Sequence, residues 1–161
     1  AGKTTIGRHL YAELRRNNSG IVFVDGDELR DVFKFDNHTN SHTIEGRRIN
    51  GERILAVCRW LDNQNIDIVC SVLSIFPDLR QIARETLSCY KEVYLNVPID
   101  VLTKRDHKKL YSRALSGKLK DVVGIDIPFP EPTNSDLEIK NYDVGIDEVV
   151  GRILEDLNLP Q

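Results

Sequence analysis

Gly2-Lys3-Thr4-Thr5 is the strongest signal in the sequence, because it coincides with the start of a helical pattern that runs from Thr4 to Arg16. Backbone N–H groups at a helix N-terminus point toward an anion, and the helix dipole adds favourable charge. In phosphate-binding loops with this pattern, the lysine reaches the β- and γ-phosphates and the next hydroxyl residue holds Mg²⁺. All four residues are therefore candidates for binding a triphosphate, with Thr4 also a metal ligand. The alternative is an ordinary exposed helix start.

Short apolar runs alternate with helical patterns along the rest of the chain. The runs predict strands at 21–24, 67–73, 93–97 and 137–139. Further helices are predicted at about 47–63, 77–88, 101–116 and 145–157, with a loop at 35–46 and an extended segment at 127–133. This alternation predicts an α/β fold with a parallel sheet and helices on both faces. We expect one domain spanning 1–161, whose leading strand and first half of the phosphate loop lie upstream of Ala1.

Composition excludes several classes of protein. The chain has 161 residues, 40% of them hydrophobic, which suits a single domain with a sizeable core. Because no apolar run approaches about 20 residues and no secretory signal is evident, we expect a cytoplasmic protein without a membrane span. The net charge of −3 does not favour general nucleic-acid binding. The three cysteines are scattered, so neither a disulfide framework nor a zinc site is expected.

An acidic pair, Asp25-Gly26-Asp27, follows the first predicted strand. Ligands of open α/β sheets bind beyond the carboxyl ends of the strands. Two carboxylates there can serve as a magnesium partner and as a general base for an acceptor hydroxyl. Asp-Gly is also a common turn pair, so an ordinary acidic turn is the alternative. Beside a phosphate loop we favour the catalytic interpretation.

A basic run lies beyond the third predicted strand. Between positions 104 and 120 it holds seven basic residues and one acid. A charge run is usually a solvated face. Kinases, however, need cations that close over the transferring phosphoryl group and exclude water. We interpret the run as a lid and assign Arg105 and Arg113 to ATP.

An ordered set of residues resembles the adenylylsulfate kinase (APS kinase) family over nearly the whole chain. The set comprises Gly2-Lys3-Thr4-Thr5, Asp25-Gly26-Asp27, Arg30, Arg47-x-x-Asn50-x-x-Arg53, Ser74, Arg105-Asp106, Lys108, Leu110-Tyr111, Gly117, Lys120 and Gly124-Ile125-Asp126. The resemblance implies a P-loop NTPase-type sheet with a basic lid. It also implies ATP and Mg²⁺ as co-substrate and phosphorylation of a nucleotide 3′-hydroxyl, converting ATP and adenylylsulfate to ADP and 3′-phosphoadenylylsulfate.

The resemblance also implies a role for each site residue. Lys3 and Thr4 would hold phosphates and Mg²⁺, while Asp27 would be the base or metal partner with Asp25 in support. Ser74 matches a family serine that carries a phosphate in some members. Residues expected to bind the acceptor are Arg30, His42, Arg47, Asn50, Lys120, Val122, Gly124 and Ile125. A homodimer is a further expectation from the family.

The chain departs from the family at the acceptor base. In typical members two phenylalanines clamp the adenine, and such stacking is worth about 1–3 kcal/mol per base. Here His42 stands at one clamp position and Val122 at the other, and Ile75 replaces the usual proline after Ser74. Relatives of the family in bacterial surface-polysaccharide (capsule) pathways phosphorylate cytidine diphosphoramidate, so two acceptors stay open. A nucleotide-binding pseudo-kinase is the alternative from another class.

Overall fold

A computed structural model describes residues 2–34, 41–105 and 110–157 of the chain. The strands are β1 (Ile21–Asp25), β2 (Asp67–Ser71), β3 (Val93–Asn96) and β4 (Leu137–Lys140). The helices are α1 (Lys3–Arg15), α2 (Gly26–Val32), α3 (Ile44–Asp62), α4 (Pro77–Thr86), α5 (Ile99–Lys104), α6 (Leu110–Leu115) and α7 (Ile146–Asp156). Within these ranges no helix is both long and apolar enough to cross a membrane.

Most of the predicted elements are confirmed, with three differences. Helix α2 begins directly after Asp25, where no helix was predicted. The predicted loop at 35–46 is wrong at its end, because Thr43 Oγ1 accepts a hydrogen bond from Gly46 N and caps α3 from Ile44 onward. The basic helical stretch comprises two helices, α5 and α6. Positions 35–40 of the loop and 106–109 of the lid, including Asp106 and Lys108, lie outside the described residues.

The strands pair in parallel, β1 with β2 and β3 with β4. In the first pair the register runs from Ile21 opposite Asp67 to Asp25 opposite Ser71. Parallel strands present their carboxyl ends at one edge. Asp25 and Ser71 therefore lie side by side where a ligand of an α/β fold is expected.

The described strands form two two-stranded parallel sheets, and helices cover both faces of the β1–β2 sheet, as predicted. One core cluster joins α1, β1, β2, β4 and α7 through Ile6, Leu10, Ile21, Val69, Ile139, Val149, Val150 and Ile153. A second cluster, on the other face of β1, packs Val24 against Ile54 and Cys58 of α3. The alternation along β1, with Ile21 in one cluster and Val24 in the other, is what a strand buried on two faces requires.

The N-terminus of α1 is held close against the ends of β1 and β2. Gly7 lies so near β1 and β2 that an added Cβ would be 2.8 Å from Phe23 Cε2 and closer still to Ser71 Oγ. Ser71 Oγ in turn donates to the Lys3 carbonyl at 3.0 Å. This packing fixes the start of α1 above the carboxyl ends of the two strands.

Candidate active site

Thr4 and Asp25 form the centre of the site. Thr4 Oγ1 donates to Asp25 Oδ2 at 2.7 Å. The other carboxylate oxygen, Oδ1, accepts from the backbone N–H of Asp27 at 2.9 Å and of Glu28 at 3.3 Å, which caps α2. Asp25 is 5% exposed, so its orientation is fixed by these three donors. The sequence-predicted partners thus meet, with Asp25 rather than Asp27 in contact with Thr4.

Lys3 lies beside the carboxylates of Asp25 and Asp27. Burial lowers the pKa of Lys3, while the negative charges of Asp27 and Asp25 oppose that shift. A half-buried ammonium at a helix start suits a phosphate partner. The negatively charged phosphate oxygens would replace the water that burial removes from around the ammonium group. Gly2 adopts a left-handed conformation with φ 76°, which positions the chain entering α1.

Asp27 differs from Asp25 in being open to solvent. Its side chain is 75% exposed, and its Oδ1 accepts from Arg30 Nη1 at 3.1 Å. The Arg30 side chain is only 11% exposed, so a buried cation borders an accessible carboxylate. An incoming hydroxyl could therefore approach Asp27, whereas Asp25 is engaged by protein donors.

The oxygen donors around Thr4 fit a magnesium ion. Hydroxyl and carboxylate oxygens are the ligands that Mg²⁺ prefers, and Mg²⁺ usually keeps several waters and substrate phosphates in its shell. Among the described residues no group of three or more His, Cys, Asp or Glu side chains gathers as a metal cluster.

Arg47 and Asn50, two predicted acceptor residues, lie on α3, which contacts α2. Asn50 is buried, and its Nδ2 donates to the Gly26 carbonyl at 3.3 Å. Arg47 Nε donates to the His42 carbonyl and Nη2 to the Asp121 carbonyl, both at 2.8 Å. Burial lowers the pKa of Arg47, and the positive charge of Arg30 lowers it further. Two predicted acceptor arginines therefore share one electrostatic environment.

The segment after α6 forms a tight loop that carries the predicted lid contacts. The Asp126 carboxylate accepts from the backbone N–H of Asp121 and of Val122, both at 2.6 Å. Gly124 has φ 90°, a conformation that favours glycine. Val122 and Ile125 are half-buried, whereas His42 and Lys120 are exposed. Through Arg47 the structure brings the backbone of His42 and of the Val122 loop together.

The predicted ATP residue Arg105 lies close to Gly2, the first residue of the predicted phosphate-binding motif. Its Nη1 donates to the Asn141 carbonyl at 3.2 Å and its Nη2 to the Tyr142 carbonyl at 2.7 Å. Asn141 borders Gly2, because a Cβ on that glycine would be 3.4 Å from Asn141 Nδ2. Thr5 is exposed at the start of α1 and Arg113 is exposed on α6.

Sequence reasoning missed Ser71, Asn141 and Arg80. The first two lie at or just beyond strand carboxyl ends, a position that could have identified them. Arg80 donates to the Ser74 carbonyl at 2.9 Å, and the half-buried Ser74 is the predicted family serine. A shallow apolar cavity of about 320 Å³ between α2 and α3 is lined by Phe33, Arg53, Ala56, Val57 and Trp60, and shares no residue with this site.

Comparisons with known proteins find relatives that are similar in sequence and in fold. The family model described as adenylylsulphate kinase matches residues 1–140. An adenylyl-sulfate kinase of Halothermothrix orenii is 33% identical over 100% of this chain and 89% of its own length. A cytidine diphosphoramidate kinase of Campylobacter jejuni is 32% identical over 88% of this chain and 80% of its own. The Mycobacterium tuberculosis APS kinase in complex with AMPPNP and APS superposes with a TM-score of 0.84 at 26% identity, covering 98% of this chain and 91% of that one.

Proposed function

Because the chain belongs to the adenylylsulphate kinase family, we propose that it transfers the γ-phosphoryl group of ATP to the 3′-hydroxyl of adenylylsulfate. The products are ADP and 3′-phosphoadenylylsulfate. The observation that carries the proposal is the 2.7 Å contact between Thr4 and Asp25, with Lys3 and the open carboxylate of Asp27 alongside. The predicted phosphate-binding residues and a candidate general base thus lie next to each other.

The residues divide the reaction between them. Lys3 would contact the β- and γ-phosphates, and Thr4 with the nearby carboxylates would hold Mg²⁺. Such an ion, when bound, neutralises charge that develops on the phosphate oxygens. Asp27 would accept the proton of the 3′-hydroxyl, since it is the exposed carboxylate of the pair. Arg30 would orient Asp27 and attract the anionic acceptor.

A second acceptor, cytidine diphosphoramidate, is favoured by a specific observation. The half-buried Val122 cannot stack on a base, so the two-sided aromatic clamp of the family is reduced to the exposed His42, which can still stack. The relative from Campylobacter jejuni, named for that substrate, matches most of the chain. The same catalytic residues would then act on a different nucleotide head. A homodimer and a cytoplasmic location remain predictions alongside either acceptor.

The test is an ATP-turnover assay on the full-length protein, with both acceptors compared side by side. Turnover with adenylylsulfate supports the leading proposal, and turnover with cytidine diphosphoramidate alone supports the second. ATP binding with turnover of neither acceptor would support a pseudo-kinase instead.

Replacing the proposed base sharpens this test. Asp27→Asn should reduce turnover by about 10²- to 10⁴-fold, the usual contribution of a general base, while ATP still binds. Asp31→Asn, an exposed acid on the same helix, is the matched control and should leave turnover near the wild-type rate. Equal rates for the two variants would remove Asp27 from the base role.

A further inference from the structure

Arg80 joins two segments that are distant in sequence. Its Nη1 donates to the Ser74 carbonyl at 2.9 Å, and its Nη2 donates to the Pro130 carbonyl at 3.4 Å. Ser74 lies just after β2, and Pro130 lies on the segment that returns from the lid toward β4. The side chain of Arg80 is 9% exposed. One buried guanidinium therefore ties the end of β2 to the lid's return path.

These two segments also build one apolar cluster. Ile75 is buried with Val123 and Ile127, and Phe76 and Phe129 pack against them. Ser74 precedes the first member of this cluster, and Pro130 directly follows the last, so Arg80 holds it at both ends. Val123 is the neighbour of Val122, the residue at the proposed acceptor-base position. Movement of this cluster would therefore move the wall of the acceptor site.

A charge partner fixes the orientation of Arg80. Arg80 Nε lies 3.4 Å from Glu92 Oε1, and the Glu92 side chain is also 9% exposed. A buried charge pair is retained at a desolvation cost, so it contributes geometry more than stability. Arginine's planar fork can serve the carboxylate and two carbonyls at once, which a single ammonium cannot do.

We propose that Arg80 is a positioning residue: by holding Ser74 and Pro130 at a fixed separation, it fixes the wall of the acceptor site at Val122 and Val123, here called the acceptor wall. The inference rests on the proposed function, since the wall matters only if a nucleotide acceptor binds there. Arg80 has its partners in the protein backbone and in Glu92, so it acts through Ile75 and Val123 and not by touching the substrate.

Arg84 provides a matched control on the same helix. It lies one turn further along α4 and also holds the return segment, through the Asn134 carbonyl at 3.1 Å and Asp136 Oδ2 at 2.9 Å. It shares the partner Glu92, with 3.6 Å between Arg84 Nη2 and Glu92 Oε2. Its backbone contact is beyond the apolar cluster, so its loss should leave the acceptor wall in place.

The experiment compares Arg80→Met, Arg80→Lys and Arg84→Met in the full-length protein. For each variant, KM for the acceptor, KM for ATP and the thermal midpoint are measured. Arg80→Met should raise KM for the acceptor by about tenfold, near the loss of one hydrogen bond to a charged group. It should leave KM for ATP within about twofold of the wild-type value. The acceptor KM of Arg80→Lys should lie between those of the wild-type protein and Arg80→Met. Arg84→Met should change the thermal midpoint without changing either KM.

Each outcome decides the inference. Equal acceptor KM shifts in Arg80→Met and Arg84→Met, or a shift in KM for ATP as large as that for the acceptor, would overturn it. If Arg80→Met does not fold, the same measurement on Arg80→Met with Glu92→Gln removes the buried acid that has lost one of its two charge partners, and decides in its place. If the wild-type protein turns over neither acceptor, the proposed function fails and this inference fails with it.

Discussion

Replacing Gly7 by alanine should separate the role of close packing from the role of helix propensity. In an exposed helix interior, Gly→Ala stabilises by about 1 kcal/mol. At Gly7 the added Cβ would lie 2.8 Å from Phe23 Cε2 and nearer still to Ser71 Oγ. Both neighbours belong to the strands on which α1 packs, so neither can move without disturbing the core or the site.

The magnitude follows from three contributions. Overpacking costs about 1–3 kcal/mol. If Ser71 rotates away, its 3.0 Å hydrogen bond to the Lys3 carbonyl is lost, at about 0.5–1.5 kcal/mol. The propensity gain offsets about 1 kcal/mol. The free energy of unfolding should therefore fall by about 0.5–3.5 kcal/mol, and each kcal/mol lowers the thermal midpoint by about 2–4 °C in a chain of this size.

The assay is urea unfolding of Gly7→Ala beside Gly151→Ala. Gly151 is also helical, in α7, but a Cβ there meets nothing within 4 Å. The Gly151 variant should therefore be as stable as the wild-type protein or more stable, and only the Gly7 variant should lose stability and turnover. If both variants are stabilised to the same extent, α1 does not lie as close to β1 and β2 as the structure places it.

Three other perturbations test the site and its supports. Asp25→Asn should reduce turnover by about 10- to 100-fold, the cost of losing a hydrogen bond to a charged group, because Thr4 then lacks a charged acceptor. Steady-state kinetics measure this loss, and an unchanged rate would contradict the role of Asp25 in holding Thr4. Hydrogen bonds from Arg84 hold the pKa of Asp136 below its usual value, so its stabilising effect is present above the unfolded-state pKa of about 3.9 and is lost as the pH falls through the folded-state pKa. Urea midpoints measured on the acid side should therefore depend less on pH in Asp136→Asn than in the wild type. Val122→Phe should shift acceptor preference toward adenylylsulfate in a competition assay, and an unchanged ratio would exclude the clamp as its cause.

The fold was largely predictable because burial leaves a direct pattern in the sequence. The apolar runs that became β1, β2 and β3 are flanked by amphipathic helices, and a parallel sheet with helices on both faces follows from that order. Helix α2 was missed because Asp25-Gly26 is equally typical of a turn. The deciding feature is the Asp25 side chain, which accepts two backbone N–H bonds and so starts the helix.

The site was predictable only where a motif specifies side-chain chemistry. Lys3, Thr4 and Asp25 meet because a phosphate loop and a strand end both lie at the carboxyl edge of the sheet. Ser71 and Arg80 belong to no such motif, because their hydrogen-bond acceptors are backbone carbonyls, which every residue carries. Ser71 could have been identified only by its position at a strand end. Any residue type can supply a backbone carbonyl, so the sequence does not indicate which carbonyl accepts a given hydrogen bond.

The proposed acceptor site combines main-chain hydrogen bonds with side chains that differ from those of typical family members. Arg47 donates to the carbonyls of His42 and Asp121, so it links the chain at one clamp position to the residue before the other. Asp126 holds the same loop through the N–H groups of Asp121 and Val122. These bonds involve main-chain atoms, so they do not depend on which side chain stands at 42 or 122. Acceptor choice can therefore change by substitution at those two positions while the catalytic residues around Thr4 stay where they are.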